Sequence, residues 1–371
     1  MKRHIFIVLA ITAIISGTSL AGEIVQNLAF TKESLSFAKA GDYNIVDMAG
    51  LPAMTNIGKP RLPHLVQAIS IPAGTEMTGV EIVSIAEEEI KGSYNLPPVY
   101  KQVPLPMPGK IFDIDEVLPD PSVYIVDQKY PSNSLKIKGS GSICGYKIGQ
   151  VEIFPLRYNP IQKKLYLTTS LTYKVKYQNA TKAGLIPSGY QKQTFSQAVK
   201  SLVVNPGQVD GFAPQVGKLF SFKALPSGAY RYVTISGSPA FDTVFTRLAR
   251  WKSLKGVRDT VVPVSWITAN YSGYDVPEKI RNFIIDAKNS WGTVYVLLAG
   301  QGDDWNSGQD LIPFRHGYDT VMDGNHTDYL PSDLYYSDLD GTWDANGNHV
   351  YGELNDNVDI YPDVFVGRAP V

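Results

Sequence analysis

The hydrophobic pattern of this chain changes once, near residue 229, and that change most constrains its fold. Before it, short runs of β-branched and aromatic residues are separated by proline and glycine, and Leu165–Tyr177 alternates like a half-buried antiparallel strand. Residues 22–180 are therefore predicted to form an all-β domain, either a sandwich or a barrel. Further strands are predicted at Val80–Ile85, Val123–Val126, Ser142–Gly149 and Val151–Leu156.

After residue 229 the pattern alternates between strand and helix. One helix is predicted after Ser238 and Pro239, and another from Pro277, each with an apolar stripe at helical spacing. The alternation predicts an α/β domain over residues 229–371, with a parallel sheet whose functional residues follow the carboxyl ends of the strands. Its strands are predicted at Tyr230–Ser236, Thr260–Val264, Thr293–Ala299 and Asp363–Gly367.

The segment between the two patterns, residues 181–228, is polar and weakly patterned, which is typical of a linker. A chain of 371 residues has room for two or three domains, so a multidomain protein is expected. The single cysteine, Cys144, excludes an internal disulfide. It lies in a predicted strand and is interpreted as a small buried side chain rather than as a nucleophile.

The N-terminus has the three regions of a secretory signal peptide. Lys2 and Arg3 precede the apolar run Ile5–Ile15, and Ser19-Leu20-Ala21 supplies small residues at a peptidase site. Residues 1–21 are therefore predicted to be removed by cleavage after Ala21. The run is shorter than the roughly 20 residues that span a bilayer, and no later segment is apolar enough, so no membrane span is expected after cleavage. Export without disulfides suggests a bacterial, secreted or cell-surface protein.

Negative charge is concentrated at the end of the chain. From Gln301 to Val371 there are 14 acidic and two basic residues, although the net charge of the whole chain is −1. This density argues against nucleic acid as a partner of that region. The glycines after Leu298 do not match a dinucleotide-binding loop, which needs a third glycine and an immediate helix, so no organic cofactor is predicted.

Several of these acids have the chemistry of a calcium site. Asp359, Tyr361 and Asp363 are spaced i, i+2, i+4, so in an extended segment they share one face and offer hard oxygen ligands. At least one calcium ion is therefore predicted within residues 301–363; the alternative is a solvated acidic loop. A second, weaker candidate set resembles a calcium loop without EF-hand spacing and comprises Asp338, Asp340 and Asp344.

The histidines of the same region lack the spacing of a zinc site. They are predicted to be surface residues: His316, His326 and His349.

Short motifs along the chain resemble the gingipain-type cysteine peptidases, family C25. In the α/β half these are Tyr232–Ile235, Trp251–Gly256, Ile280–Arg281, Tyr295–Gly300, Pro331–Tyr336 and Pro362–Arg368. In the β-rich half, Gly58–Pro63 and Phe154–Pro160 are similar to the propeptide of that family. The resemblance covers nearly all of the chain after the signal peptide.

The resemblance implies a caspase-like α/β fold and endopeptidase activity on protein or peptide substrates through a His–Cys dyad. In the family this dyad follows further strands of the sheet, so it is expected beyond Val371. The α/β domain is then incomplete at its C-terminus, no catalytic residue is assigned, and the chain alone is expected to be inactive. The resemblance also implies a zymogen in which the β-domain covers the α/β domain until cleavage in the linker. Lys218 and Lys223 are candidate cleavage points only if the mature enzyme prefers basic residues.

The resemblance implies structural calcium as well. It places ligands at Asp359, at the carbonyl of Tyr361 and at Asp363, with one more acid after the strand that ends at Gly300. Because Gln301 occupies the next position, Asp303 or Asp304 would have to serve. Two other functions remain open: a non-catalytic exported binding or assembly protein, and a sortase-like C25 relative of a protein secretion system.

Overall fold

The computed structural model describes residues 21–100, 117–182, 184–218, 225–302, 311–320, 327–353, 355–356 and 358–370. The predicted signal peptide up to Leu20 lies outside these ranges, as do Asp303, Asp304, Lys223 and His326. No helix in the described ranges is long and apolar enough to cross a membrane.

The first part of the described chain is built mainly of antiparallel strands. Its elements are β1 (Gly22–Ala29), β2 (Leu35–Ala40), β3 (Tyr43–Met48), β4 (Leu65–Ile71), β5 (Thr75–Ile90), α1 (Pro121–Tyr124), β6 (Leu135–Ile143), β7 (Tyr146–Ile153), β8 (Leu156–Asn159) and β9 (Lys164–Asn179). One sheet has the order β1-β9-β5, with β8 also paired to β9, and a second has the order β4-β7-β6. β2 and β3 pair only with each other.

These two sheets share one hydrophobic core. Leu171 and Tyr173 of β9 and Ile69 and Val151 of the second sheet are almost completely buried within it. Each such side chain contributes about 1.5–3 kcal/mol when it is removed from water. The N-terminal half is therefore a β-sandwich, and the alternation of Leu165–Tyr177 corresponds to the buried face of β9.

Two predicted strands differ from the structure. Val123–Val126 overlaps α1, because Pro121 favours the first helical turn and the Asp120 side chain accepts a hydrogen bond from the Ser122 N–H at 2.8 Å. Ser142–Gly149 is not one strand but comprises the end of β6, a two-residue turn and the first half of β7. Its two turn residues, Cys144 and Gly145, have φ values of 49° and 88°, as a tight two-residue hairpin loop requires.

The segment predicted as a linker contains a helix, α2 (Gly189–Leu202), which begins with a capping box between Ser188 and Gln191. Phe195 and Val199 of this helix are fully buried. They join a third hydrophobic cluster that combines residues of the β6–β7 hairpin with residues of the α/β domain. The segment therefore packs between the two domains along part of its length.

The second half is an α/β domain. Its elements are β10 (Tyr232–Ser236), α3 (Pro239–Leu254), β11 (Asp259–Pro263), α4 (Val264–Asn270), α5 (Val276–Trp291), β12 (Tyr295–Ala299), β13 (Arg315–Thr320), β14 (Thr327–Ser332), α6 (Leu334–Ser337) and β15 (Phe365–Ala369). The main sheet is parallel, in the order β11-β10-β12-β15. The predicted parallel sheet is thus present, and β13 and β14 add a hairpin inside the acidic region predicted as loop.

Helices cover the two faces of this sheet. Phe283 and Ile284 of α5 pack in one core with Val233 of β10 and Val296 of β12. α3 packs on β10 and β11. The connection from β10 through α3 to β11 runs along the sheet in the opposite direction to the connection from β11 through α5 to β12. Because both crossovers are right-handed, α3 and α5 lie on opposite faces. On that second face Leu297 is only half-buried, so the apolar strand β12 is less completely buried there than on the face that α5 covers.

Candidate functional site

The carboxyl ends of β10, β12 and β15 meet at one edge of the parallel sheet. The Gly237 N–H donates to the Ala299 carbonyl at 2.9 Å, and the Gly300 N–H donates to the Ala369 carbonyl at 3.0 Å. A Cβ atom on either glycine would lie within 3 Å of the Leu311 Cβ. Glycine at both positions therefore lets Leu311 lie directly on the strand ends.

Arg368 of β15 fixes the loops at this edge. Its guanidinium forms a bidentate ion pair with the Asp333 carboxylate, at 2.6 and 2.8 Å. A further nitrogen donates to the carbonyls of Gly300, at 3.0 Å, and Ile312, at 2.7 Å. Bidentate charge-assisted pairs combine strength with a fixed orientation. Arg368 therefore joins the strand ends to two following segments of the chain.

A cavity of about 280 Å³ lies beside the N-terminus of α5. One of its walls is Arg315, which is almost completely buried and forms a bidentate pair with Asp275, the N-cap of α5, at 2.7 and 2.8 Å. His349 lines the same cavity, and its ring stacks on Tyr274 with 3.7 Å between ring centroids. His316 is also at the wall. The side chain of His349 is 44% exposed, as a surface histidine would be.

A group of carboxylates converges at another place, between α6 and β15. One oxygen each of Asp338, Asp340 and Asp363 lies within 4.8 Å of the others. Asp338 and Asp363 are fully buried, and Asp340 is exposed. Carboxylate oxygens are the ligands that calcium prefers, so this donor set fits a calcium ion.

The ligands predicted from the sequence do not all lie together in the structure. Asp363 belongs to the converging group and also contacts the β6–β7 hairpin, whereas Asp359 and Tyr361 contact the hairpin without belonging to that group. Asp344 stands apart, with its carboxylate 3.3 Å from His349 Nδ1, and Asp303 lies outside the described ranges. β15 begins at Phe365, so these three residues lie in the segment that precedes the strand.

The contacts of these acids with the hairpin are direct. Asp359 accepts a hydrogen bond from the Ser142 N–H at 2.7 Å, and Asp363 accepts one from the Cys144 N–H at 2.7 Å. The Gln150 side-chain amide donates to the Tyr361 hydroxyl at 2.6 Å. The second oxygen of Asp363 accepts from the Leu339 N–H at 2.9 Å, which links the hairpin to the acid group.

Burial changes the protonation of this cluster. It raises the pKa of Asp359 to about 7 and raises the pKa of Asp363 well above its ordinary value, and the nearby Asp340 charge raises both. The pKa of Asp338 is also raised, again mainly by burial. The charge of the buried Lys288 ammonium lowers the pKa of Asp363. Lys288 Nζ has no hydrogen-bond partner among the described residues. The site therefore favours a proton or a bound cation.

Cys144 does not have the environment of a nucleophile. It is fully buried beneath the acid group, and burial raises the pKa of its thiol to about 12. The thiol therefore stays protonated at neutral pH, in agreement with its interpretation as a small buried side chain.

Sequence reasoning missed Arg368 as a loop-binding residue and Gln191 as an interdomain contact. Arg368 appeared only as part of a family motif, and Gln191 lay in the predicted linker. The one available signal for Gln191 was the capping box Ser188-x-x-Gln191, which marks the start of a helix.

Comparisons with known proteins cover both halves of the chain. The C25 propeptide family model matches residues 25–207, and the model of peptidase family C25 matches residues 225–371. A search of curated proteins finds no match.

A search of solved structures matches this chain to two from Porphyromonas gingivalis, both at low identity. The complex of RgpB pro- and mature domains is 18% identical, with a TM-score of 0.42, over 54% of this chain and 96% of that one. A structure on the zymogenic latency of gingipain K is 16% identical, with a TM-score of 0.36, over 47% of this chain and 100% of that one. Because the two family models match in the order propeptide and then peptidase, the chain belongs to peptidase family C25 as a gingipain-type precursor.

Proposed function

We propose that this chain belongs to the zymogen of a secreted cysteine endopeptidase. In this zymogen the N-terminal β-sandwich is a propeptide docked on the peptidase domain. The observation that carries the proposal is the succession of a propeptide match and a peptidase match, in a chain whose two halves share a hydrophobic cluster. Residues 1–21 would direct its export, with cleavage after Ala21.

The proposed chemistry is attack on a peptide carbonyl by a thiolate that a neighbouring imidazole activates, with backbone N–H groups stabilising the oxyanion. The buried thiol of Cys144 does not suit this role. We place the His–Cys pair downstream of Val371 in the reading frame, as the resemblance implies. The loops that Arg368 holds at the carboxyl edge of the sheet would then border the active site.

The test is to express the complete reading frame, including any codons after 371, beside residues 1–371 alone. We expect the complete product, once its N-terminal domain is removed, to hydrolyse casein and to lose this activity with iodoacetamide. Residues 1–371 should show no hydrolysis. A stop codon directly after codon 371, or hydrolysis that iodoacetamide does not inhibit, would favour the non-catalytic exported protein instead.

We further propose that Asp338, Asp340 and Asp363 hold a structural calcium ion. Asp359, the carbonyl of Tyr361 and Asp303 remain proposed additional ligands from the family resemblance. The ion would neutralise acids that burial leaves poorly solvated and would fix the segment between α6 and β15.

Calorimetric titration of the full chain with calcium tests this proposal. Asp340→Asn changes the exposed member of the group, so the variant should fold, and we expect its calcium affinity to fall at least tenfold. The matched control is Asp42→Asn, an exposed acid in the N-terminal domain, which should bind calcium like the wild type. If the wild type gives no heat at millimolar calcium, this site does not exist.

A further inference from the structure

The edge of the second β-sheet faces the peptidase domain. β6 is the last strand in the order β4-β7-β6, so alternate N–H groups of β6 point away from β7. At the end of the strand, the N–H groups of Ser142 and Cys144 are accepted by the carboxylates of Asp359 and Asp363, both at 2.7 Å. Two acids of the peptidase domain therefore complete the hydrogen bonding of this strand edge in place of another strand.

Steric fit at this point requires glycine. A Cβ atom on Gly141 would lie 2.3 Å from the Asp359 carboxylate oxygen and 2.3 Å from the Tyr361 ring. Gly145, in the turn, has a φ of 88°, and its Cβ would lie 2.3 Å from the Leu185 carbonyl. The peptidase-domain acids can approach the main chain only because no side chain stands between them.

Apolar side chains surround these bonds, of which the one from the Cys144 N–H is buried and the one from the Ser142 N–H is partly buried. Ile143 and Tyr146, on either side of the turn, are buried in the cluster that also contains Val294 of the peptidase domain. Phe195 of α2 stacks on Phe365 of β15 with 4.7 Å between ring centroids. Hydrogen bonds are stronger in such surroundings than in water, because the local dielectric constant is low.

We infer that the hairpin tip, residues 141–145, is the anchor that holds the N-terminal domain on the peptidase domain. The docking site on the peptidase domain is the carboxylate pair Asp359 and Asp363. It recognises the main-chain N–H groups and the glycine of the tip rather than a particular side chain. This inference rests on the proposed zymogen organisation, in which the domains separate after cleavage, and it names the contact that resists their separation.

The experiment uses the full chain with a specific protease sequence in place of residues 219–224. After cleavage, gel filtration shows whether the two halves co-elute. Binding of one half to the other half immobilised on a surface gives their dissociation constant. We expect the wild-type halves to co-elute and Gly141→Ala to raise their dissociation constant at least tenfold. The matched control is Gly139→Ala in the same strand, since its Cβ would meet only Gln150, at 3.9 Å, and its halves should remain together.

A second variant guards against a folding defect of the first. Asp359→Asn keeps the shape of the side chain but replaces one acceptor oxygen by a donor, and we expect it also to weaken association at least tenfold. Both changes act on the same contact, so their effects should not multiply. We expect the dissociation constant of the double variant to stay close to that of either single variant. Thermal melting of each uncleaved variant reports its folding.

If both single variants fold and keep a dissociation constant within threefold of the wild type, the tip is not the anchor and α2 takes that place. The assay does not use peptidase activity. A complete reading frame without thiol-dependent hydrolysis would therefore reject the proposed enzyme and leave this result unaffected. Conversely, if the peptidase is active and neither substitution changes the dissociation constant of the two halves, only the anchor is rejected.

Discussion

Cys144 has a backbone conformation that is uncommon for a residue with a side chain. Its φ of 49° lies in the left-handed region, which costs roughly 1–2 kcal/mol for an L-residue. Its N–H is bonded to Asp363, and its thiol is fully buried in the cluster between the domains. The hydrogen bond to Asp363 and the packing of the buried thiol therefore hold Cys144 in this conformation. Its small side chain suits the position better than a larger one would.

Asp259, at the start of β11, is a buried acid far from the candidate calcium site. It is only 7% exposed, and the Thr234 hydroxyl lies 3.4 and 3.5 Å from its carboxylate oxygens. Burial raises its pKa to about 7, although the Lys252 charge acts in the opposite direction. Its protonated form is therefore favoured in the folded protein.

Asp259→Asn should remove part of the pH dependence of stability. The pKa is higher in the folded than in the unfolded chain, so the contribution of Asp259 is fully present below about pH 4 and is lost as the pH rises through about 7. Between pH 5 and pH 8 the wild type should lose about 2 kcal/mol of unfolding free energy that the variant retains. Urea unfolding at both pH values measures this, and an unchanged pH slope in the variant would contradict it. Asp42→Asn should keep the wild-type slope.

At the scale of elements, α2 connects the two domains through its first turn. The Gln191 side-chain amide donates to the carbonyls of Lys288, at 3.0 Å, and Thr293, at 2.9 Å, around the C-terminus of α5. Its oxygen accepts from the Ser188 N–H at 2.8 Å, which completes the capping box. One side chain thus caps the start of one helix and satisfies carbonyls at the end of another.

Gln191→Ala should destabilise the chain by about 2 kcal/mol, because two buried carbonyls and one N–H lose their partner. The matched control is Gln193→Ala in the same helix, where the side chain is exposed, and it should change stability by less than about 0.5 kcal/mol. Urea unfolding at constant pH measures both. Equal unfolding free energies for the two variants would mean that the Gln191 contacts carry no net stability.

Elements that depend on local pattern were predicted well. The stripe of α5, the N-cap and proline of α3 and the parallel strands all depend on residues close in sequence. α1 was assigned as a strand because Val123–Val126 is apolar, whereas Asp120 and Pro121 fix a helical turn. The β6–β7 turn was missed because Cys-Gly is not a common hairpin pair, and here Asp363 helps to hold it.

At the scale of the whole molecule, the contact between the halves is apolar and hydrogen-bonded. The end of the chain is acidic, with 14 acidic and two basic residues from Gln301 to Val371, whereas the rest of the chain has more basic than acidic residues. Within the described ranges, however, no ion pair joins a residue before 218 to one after 225. Acids of the peptidase domain accept main-chain N–H groups instead, and Arg231 lies over the Tyr190 ring at 3.6 Å.

Strand and helix periods and short motifs are local properties of the chain, so they reveal the class of each half and the family. Which acids converge, and what they face, depends on how distant parts of the chain pack together. Asp363 meets Asp338 and Asp340 across a long irregular segment, and Asp359 meets the N–H of Ser142, 217 residues away. No periodicity encodes such contacts. The first arises when distant parts of the α/β domain pack together, and the second arises when the two domains bury a strand edge whose N–H groups need acceptors.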